Sequence, residues 1–274
     1  MLLTAMAVSK EQKALYNEKA RPYKDTLEEL KKEASTLKAA ARKNPEMEPY
    51  FMFRNAIIAL KSCNLMVQMS TLSHEIQDLK NDKLVGDARK EVANALNELV
   101  KIVGDQIDEG LTENQDRLEK IKDLNPSRRL KLLLAFRETM QNLKIAVGTG
   151  KWRWYFPELH MKLTILARNL MDFKEYGAAK DSNAPYYREL QEHMKFLTEE
   201  AQTAAQDYRS KYELASQDLA DLQSIQKLFE MLKRIFVFTG NKTEQEKIQI
   251  SLDSNKERIE AIIAEQKGGK KKKK

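Results

Sequence analysis

The stretch from Tyr186 to Thr239 reads YYRELQEHMKFLTEEAQTAAQDYRSKYELASQDLADLQSIQKLFEMLKRIFVFT and contains neither proline nor glycine. Apolar residues recur through it every three or four positions, the spacing of one face of an amphipathic α-helix. These positions are Leu190, Met194, Leu197, Ala201, Ala204, Tyr208, Tyr212, Ala215, Leu219, Leu222, Ile225, Phe229, Leu232 and Phe236. One continuous helix of about 55 residues would be roughly 80 Å long. Because it could not bury its apolar face alone, an elongated bundle of helices is predicted.

The apolar positions of this stretch average about 3.5 residues apart, which is typical of coiled-coil-like packing. The spacing is irregular, however, with two consecutive steps of four at Tyr208 and two consecutive steps of three at Leu222. Such irregularities locally unwind or overwind a coiled coil. We therefore expect the long helix to pack against several helices of the same chain rather than in a uniform dimeric zipper.

The composition of the whole chain also favours long helices. Of 274 residues, 32% are charged and 42% hydrophobic, with only nine glycines and six prolines, a profile that fits neither a disordered chain nor a β-sandwich. Breaks at proline and glycine divide the chain into about seven predicted helices, and the fold class is all-α. The predicted ranges are 9–43, 50–80, 82–124, 126–147, 157–176, 186–239 and 243–266.

Domain boundaries are predicted at the same breaks. Residues 1–8 form an apolar N-terminal segment, and residues 9–148 form an N-terminal helical bundle. Residues 149–157 are an aromatic and basic connection to a C-terminal long-helix bundle over residues 158–266. Residues 267–274 are predicted to be a disordered lysine tail.

The net charge of +7 belongs mainly to that tail. Lys270, Lys271, Lys272, Lys273 and Lys274 carry five of the seven charges, so the body lacks the basic surface expected of a nucleic-acid-binding domain. The tail is a candidate for weak, salt-sensitive contact with anionic surfaces such as lipid headgroups. The alternative is a solubilising chain end.

No residue pattern indicates catalysis or a bound metal. The three histidines, His74, His160 and His193, are isolated from one another in the sequence, and none belongs to a Glu-x-x-His pair of the di-iron type. The segment from Gly148 to Lys151 lacks the other residues of a phosphate-binding loop. The single cysteine, Cys63, lies in an apolar stretch and is predicted to be a small buried residue. We therefore predict no enzymatic activity, no cofactor and no small-molecule substrate.

The best candidate for partner binding is the aromatic and basic segment KWRWYF, residues 151–156, which we call the Trp loop. It contains both tryptophans of the chain, and aromatic and arginine side chains often dominate protein interfaces. The candidate partner-binding residues are Trp152, Arg153, Trp154 and Tyr155, together with the lysine tail. The alternative is that these aromatic side chains fold back and cover the end of the bundle.

The N-terminal sequence leaves the compartment open. Residues 1–8 read MLLTAMAV, which is too short for a signal peptide but matches the end of one, with Ala5-Met6-Ala7 as a cleavage site. The protein is expected to be cytoplasmic as written, or periplasmic if residues 1–7 end a longer signal peptide. With the lysine-rich end and wholly helical pattern, the chain is similar in general style to spirochaete flagellar coiling or sheath proteins. That resemblance, which no motif carries, implies a periplasmic structural component on the flagellar filament.

These observations favour a non-enzymatic structural or scaffold protein that presents helical surfaces to other proteins, with self-association left open. Two alternatives are a filament- or envelope-associated structural protein and a surface adaptor. The adaptor would bind membrane or nucleic acid through the lysine tail and the Trp loop.

Overall fold

The structure is a computed structural model that describes residues 8–150 and 152–271. Within these residues there are ten α-helices and no β-strand, which confirms the all-α fold class. The helices are α1 Lys10–Lys43, α2 Glu48–Gln77, α3 Asp82–Val103, α4 Gln115–Glu119, α5 Pro126–Val147, α6 Phe156–Leu170, α7 Phe173–Ala178, α8 Tyr187–Lys211, α9 Leu219–Thr239 and α10 Lys242–Lys271. Two 3₁₀ turns, Pro45–Met47 and Arg153–Tyr155, and one π-helical turn, Tyr212–Ser216, lie between them.

The prediction of one helix of about 55 residues is wrong. The longest helix among the described residues is α1, with 34 residues, and the long stretch is divided between α8 and α9. Two residues assigned to the continuous apolar face lie at the break, where Ala215 is exposed and Leu219 only half-buried.

Backbone and side-chain hydrogen bonds between α8 and α9 explain the break. The backbone N–H of Gln217 donates to the carbonyl of Tyr212 at 3.1 Å, and Gln217 adopts a left-handed conformation with φ 48°. Asp218 then caps α9 by accepting from the N–H of Ala220 at 3.0 Å. Serine and aspartate side chains compete in this way with the helical ladder, and Ser216 also bonds to Asp221.

The third predicted helix is also shorter than expected. Gly104 adopts φ 95° and ends α3, so the helix predicted to continue to residue 124 stops here. A β-carbon at Gly104 would lie 3.0 Å from the guanidinium of Arg117. The close approach of Arg117 and the positive φ both explain a glycine at this position.

The chain folds into two compact units. The first unit runs to Leu99 and resumes over Leu134–Arg153, while the second comprises Val100–Leu133 and the chain from Trp154 onward. This division differs from the predicted domains because residues 100–133 group with the C-terminal part of the chain.

In the first unit, α1 and α2 form an antiparallel pair, with Arg54 of α2 bonded to Glu33 of α1 at 2.8 Å. Ser9 and Gln12 form a reciprocal capping box at the start of α1, where the first helix is predicted to begin. The later part of α5 packs on α2, where the Asn64 side chain donates to Thr139 at 3.1 Å. The core includes Leu27, Phe53, Leu60, Met66, Val92, Leu96, Phe136, Met140 and Leu143.

In the second unit, consecutive long helices run antiparallel. His193 of α8 contacts Ala167 of α6, while residues farther along α8 contact His160, nearer the start of α6. Helix α9 returns along α8, and α10 returns along α9 with Asn255 bonded to the carbonyl of Leu222 at 3.0 Å. The core includes Leu163, Leu166, Leu197, Ala201, Ile225, Leu228, Leu232, Ile235 and Leu252.

The C-terminal helix extends beyond its predicted end. Helix α10 reaches Lys271, so five residues assigned to the disordered tail, 267–271, are helical. Gly268 and Gly269 both lie within α10, so neither ends the helix. No helix within the described residues is long and apolar enough to cross a membrane.

Candidate functional site

The Trp loop packs against its own protein more closely than an exposed loop would. Trp152 is half-buried in the first unit, with the guanidinium of Arg89 4.4 Å from its ring centroid. A β-carbon at Gly86 of α3 would lie 3.7 Å from the indole nitrogen, an ordinary van der Waals distance. The indole therefore lies directly against α3.

The other residues of the Trp loop differ in exposure. Arg153 is exposed, whereas Trp154 and Tyr155 are half-buried. Phe156, which begins α6, is only 1% exposed. Lys151 lies outside the described residues. Partner binding by Trp152, Arg153, Trp154 and Tyr155 remains a prediction, and the packing of Trp152 supports a structural contribution from that residue.

Only the beginning of the lysine tail is described. Lys270 and Lys271 are the last residues of α10, and Lys272, Lys273 and Lys274 lie outside the described residues. Binding of anionic surfaces by the tail also remains a prediction.

A groove of about 580 Å³ lies in the first unit between α1, α2 and α3. Small side chains from all three helices line it: Ala34, Ser35, Ala56, Ala59, Ser62 and Ala95. Larger apolar contributions come from Leu30, Met52 and Ile58.

The two sides of the groove carry opposite charges. Helix α1 contributes the exposed Lys31 and Lys38, and α3 contributes the half-buried Glu91 and Glu98. Within the described residues, no hydrogen bond or ion pair involves any of these four side chains. Each pair is seven residues apart, so each helix presents like charges at two successive positions about 10 Å apart along its axis.

Asn55 of α2 is also one of the residues that line the groove. Its side-chain nitrogen and oxygen are both shielded from solvent, and neither has a hydrogen-bond partner within the described residues. Because atoms shielded from solvent are also out of reach of a ligand in the groove, the amide of Asn55 is not a contact for such a ligand.

The three histidines do not form a common site. His74 is exposed beside Asp78. In the second unit, His160 lies between Glu200, which it contacts through Nδ1, and Asp207, whose carboxylate is 3.7 Å from its Nε2. His193 is buried, and its Nε2 donates to the carbonyl of Ala167 at 2.9 Å. Burial lowers the pKa of His193 to about 4.

The described residues also offer neither a reactive thiol nor a group of metal ligands. The Cys63 thiol is fully buried, and burial raises its pKa to about 12, so it is an inert thiol rather than a nucleophile. No group of three or more histidine, cysteine, aspartate or glutamate side chains in the described residues is placed to hold a metal ion.

The most extensive polar network fixes an irregular segment of the second unit. Arg168, fully buried, donates to the carbonyls of Glu109 and Gly110 at 2.8 and 2.7 Å. Asn169 donates to the carbonyl of Gly104 at 2.6 Å, and Arg234 of α9 donates to that of Ile107 at 2.9 Å. These bonds satisfy the backbone between α3 and α4, which makes the network structural.

Sequence reasoning missed both the groove and this network. Arg168 and Asn169 fall between Leu166 and Leu170, which keep the regular apolar spacing of α6, so nothing in the sequence marks this polar pair as buried. The heptad spacing of Lys31 with Lys38 and of Glu91 with Glu98 is visible in the sequence. It points to a groove only once α1 and α3 are known to flank α2.

The comparison with protein families matches residues 12–263 to one family over most of the chain. The chain belongs to the TP0443 family. The family description names no activity, so it establishes membership alone. Neither the curated proteins nor the solved structures contain a match to the chain.

Proposed function

We propose that this TP0443 family protein is a non-enzymatic scaffold that binds protein partners through the groove of its first unit. The groove carries the proposal because it combines a floor of small side chains with charges of opposite sign on its two sides. Protein interfaces combine a shape-complementary centre with a polar rim in the same way. The buried histidines, Cys63 and the Arg168 network lie outside the lining of this groove, which supports binding rather than catalysis.

The test blocks the groove from an exposed position. Ser35 of α1 lines the groove, whereas its neighbour Thr36 is exposed and does not line it. Ser35→Trp places an indole in the groove, and Thr36→Trp is the matched control on the same helix. Because both side chains are exposed, both variants should keep the unfolding midpoint of the wild type.

The readout is capture of partner proteins from a lysate of the native host by full-length chain. We expect the wild type and Thr36→Trp to capture the same partner and Ser35→Trp to lose it. Equal capture by the two variants, or no capture by the wild type, would refute the proposal.

A second candidate function, a surface adaptor, is favoured by the concentration of positive charge at residues 270–274. Deleting these five lysines should then abolish sedimentation with vesicles that contain anionic lipid at low salt. Equal sedimentation of the full-length and truncated chains would eliminate this candidate.

A further inference from the structure

We infer that the groove of the first unit takes a single amphipathic α-helix of a partner protein, with acidic residues facing α1 and basic residues facing α3. This inference rests on the proposed function and specifies the chemistry of its partner. The four charged positions and the small-residue floor on which it depends all belong to the first unit.

The lining of the groove fits a helix better than a small molecule. Packed helices lie about 8–10 Å apart, and the separation shortens where the side chains at the contact are small. Ala34, Ala56, Ala59 and Ala95, on three different helices, provide such a surface. Small-molecule pockets are lined mainly by large hydrophobic and aromatic side chains, and none of the described residues that line this groove is aromatic.

The charges define the two flanks of the partner helix. Lys31 and Lys38 line one side, and Glu91 and Glu98 line the other, each pair with heptad spacing. Helices that pack in parallel or antiparallel pairs place opposite charges beside their apolar contact at this same spacing. A partner with glutamate or aspartate seven residues apart on one flank, and lysine or arginine seven apart on the other, would pair all four positions.

The test uses three designed helical peptides and the full-length protein, with affinity measured by fluorescence anisotropy at low salt. The peptides share an alanine-rich contact face and differ in their flanks: one acidic and one basic, both acidic, or both basic. The mixed peptide should bind the wild type about tenfold more tightly than either uniform peptide, since the exposed lysines and half-buried glutamates would form four ion pairs that each contribute modestly.

Charge reversal should change which peptide binds best. Lys31→Glu with Lys38→Glu makes both sides of the groove acidic, so the peptide with two basic flanks should become the tightest ligand. Glu91→Lys with Glu98→Lys makes both sides basic, and the peptide with two acidic flanks should then be preferred. Lys19→Glu makes the same kind of charge change at an exposed position of α1 that does not line the groove, and it should leave the order unchanged.

The outcomes separate this inference from the proposed function. If the order of the three peptides does not follow the charge reversals while Ser35→Trp still abolishes partner capture, the charge pattern is wrong and the groove remains the binding site. A concentration-dependent dimer of the full-length protein that Ser35→Trp dissociates would identify a second copy of the chain as the occupant and overturn the inference.

Discussion

Arg168 carries a charge into the interior of the second unit. Its side chain is fully buried, and one of its guanidinium nitrogens lies 3.6 Å from the carboxylate of Glu109. Burial lowers its pKa, and the nearby Glu109 carboxylate opposes that change. The guanidinium is suited to this position because its fork reaches two carbonyls and the Asn169 side chain together.

Removal of this guanidinium should strongly destabilise the protein. Arg168→Met would leave the Glu109 and Gly110 carbonyls without donors and Glu109 with one fewer cation, and we expect a loss of about 3–5 kcal/mol in the free energy of unfolding. Chemical denaturation of the two proteins measures this difference in the free energy of unfolding. Arg188→Met, at an exposed arginine of α8, is the control and should change stability little. Equal effects of the two substitutions would show that the network is not a stabilising element.

His193 should make stability depend on pH. Burial lowers its pKa to about 4, while an unfolded histidine titrates near 6.5. As pH falls between these values, the unfolded chain binds a proton that the folded chain does not, so stability present above pH 6.5 is lost toward pH 4, by about 3 kcal/mol when complete.

The measurement compares urea unfolding at pH 7 and pH 5 for the wild type and two variants. His193→Gln keeps a donor for the Ala167 carbonyl and should flatten the pH dependence. His74→Gln changes an exposed histidine and should leave the pH dependence of stability as in the wild type. A pH dependence of stability unaltered by His193→Gln would rule out His193 as its source.

At the scale of the element, the helical stretch is broken between α8 and α9. Gln217 adopts a left-handed conformation there, which costs a residue with a side chain about 1–2 kcal/mol relative to the right-handed region. Glycine adopts the same conformation without that penalty.

Glycine should therefore have opposite effects at two nearby glutamines. Gln217→Gly at the junction should stabilise the protein by about 1 kcal/mol. Gln223→Gly, at an exposed position within α9, should destabilise it by about 1 kcal/mol. Equilibrium denaturation distinguishes the two signs, and destabilisation by both would support one continuous helix through residue 217.

The sequence predicts helices well where their ends are marked by local chemistry. Ser9 with Gln12 and Pro126 are such signals, and α1 and α5 begin as predicted. The break after Lys211 escapes prediction because apolar steps of three and four continue through it, although Ser216 and Asp218 are the side chains that end one helix and cap the next. Similarly, the last helix is predicted to start at residue 243, whereas α10 starts at Lys242 and the Asn241 side chain accepts from the N–H of Glu244.

The candidate site could not be predicted in the same way, because it depends on which helices are neighbours. Lys31 and Lys38 have the appearance of a solvated helix face in the sequence, and so do Glu91 and Glu98. Only the packing of α1, α2 and α3 around one space brings these four side chains into the lining of one groove. The Trp loop, by contrast, is conspicuous in the sequence, yet Trp152 packs against Arg89 and Gly86.

At the scale of the whole molecule, the proposed function assigns recognition to the groove of the first unit. A photo-crosslinking amino acid introduced at position 35 or 36 of the full-length chain, in its native host, tests this assignment directly. Mass spectrometry of the crosslinked peptides should show a partner attached from position 35 and none from position 36. The attached segment should be helical, with acidic residues seven apart on one flank and basic residues seven apart on the other. Equal crosslinking from both positions, or attachment to a segment without that pattern, would contradict recognition of a charged amphipathic helix by this groove.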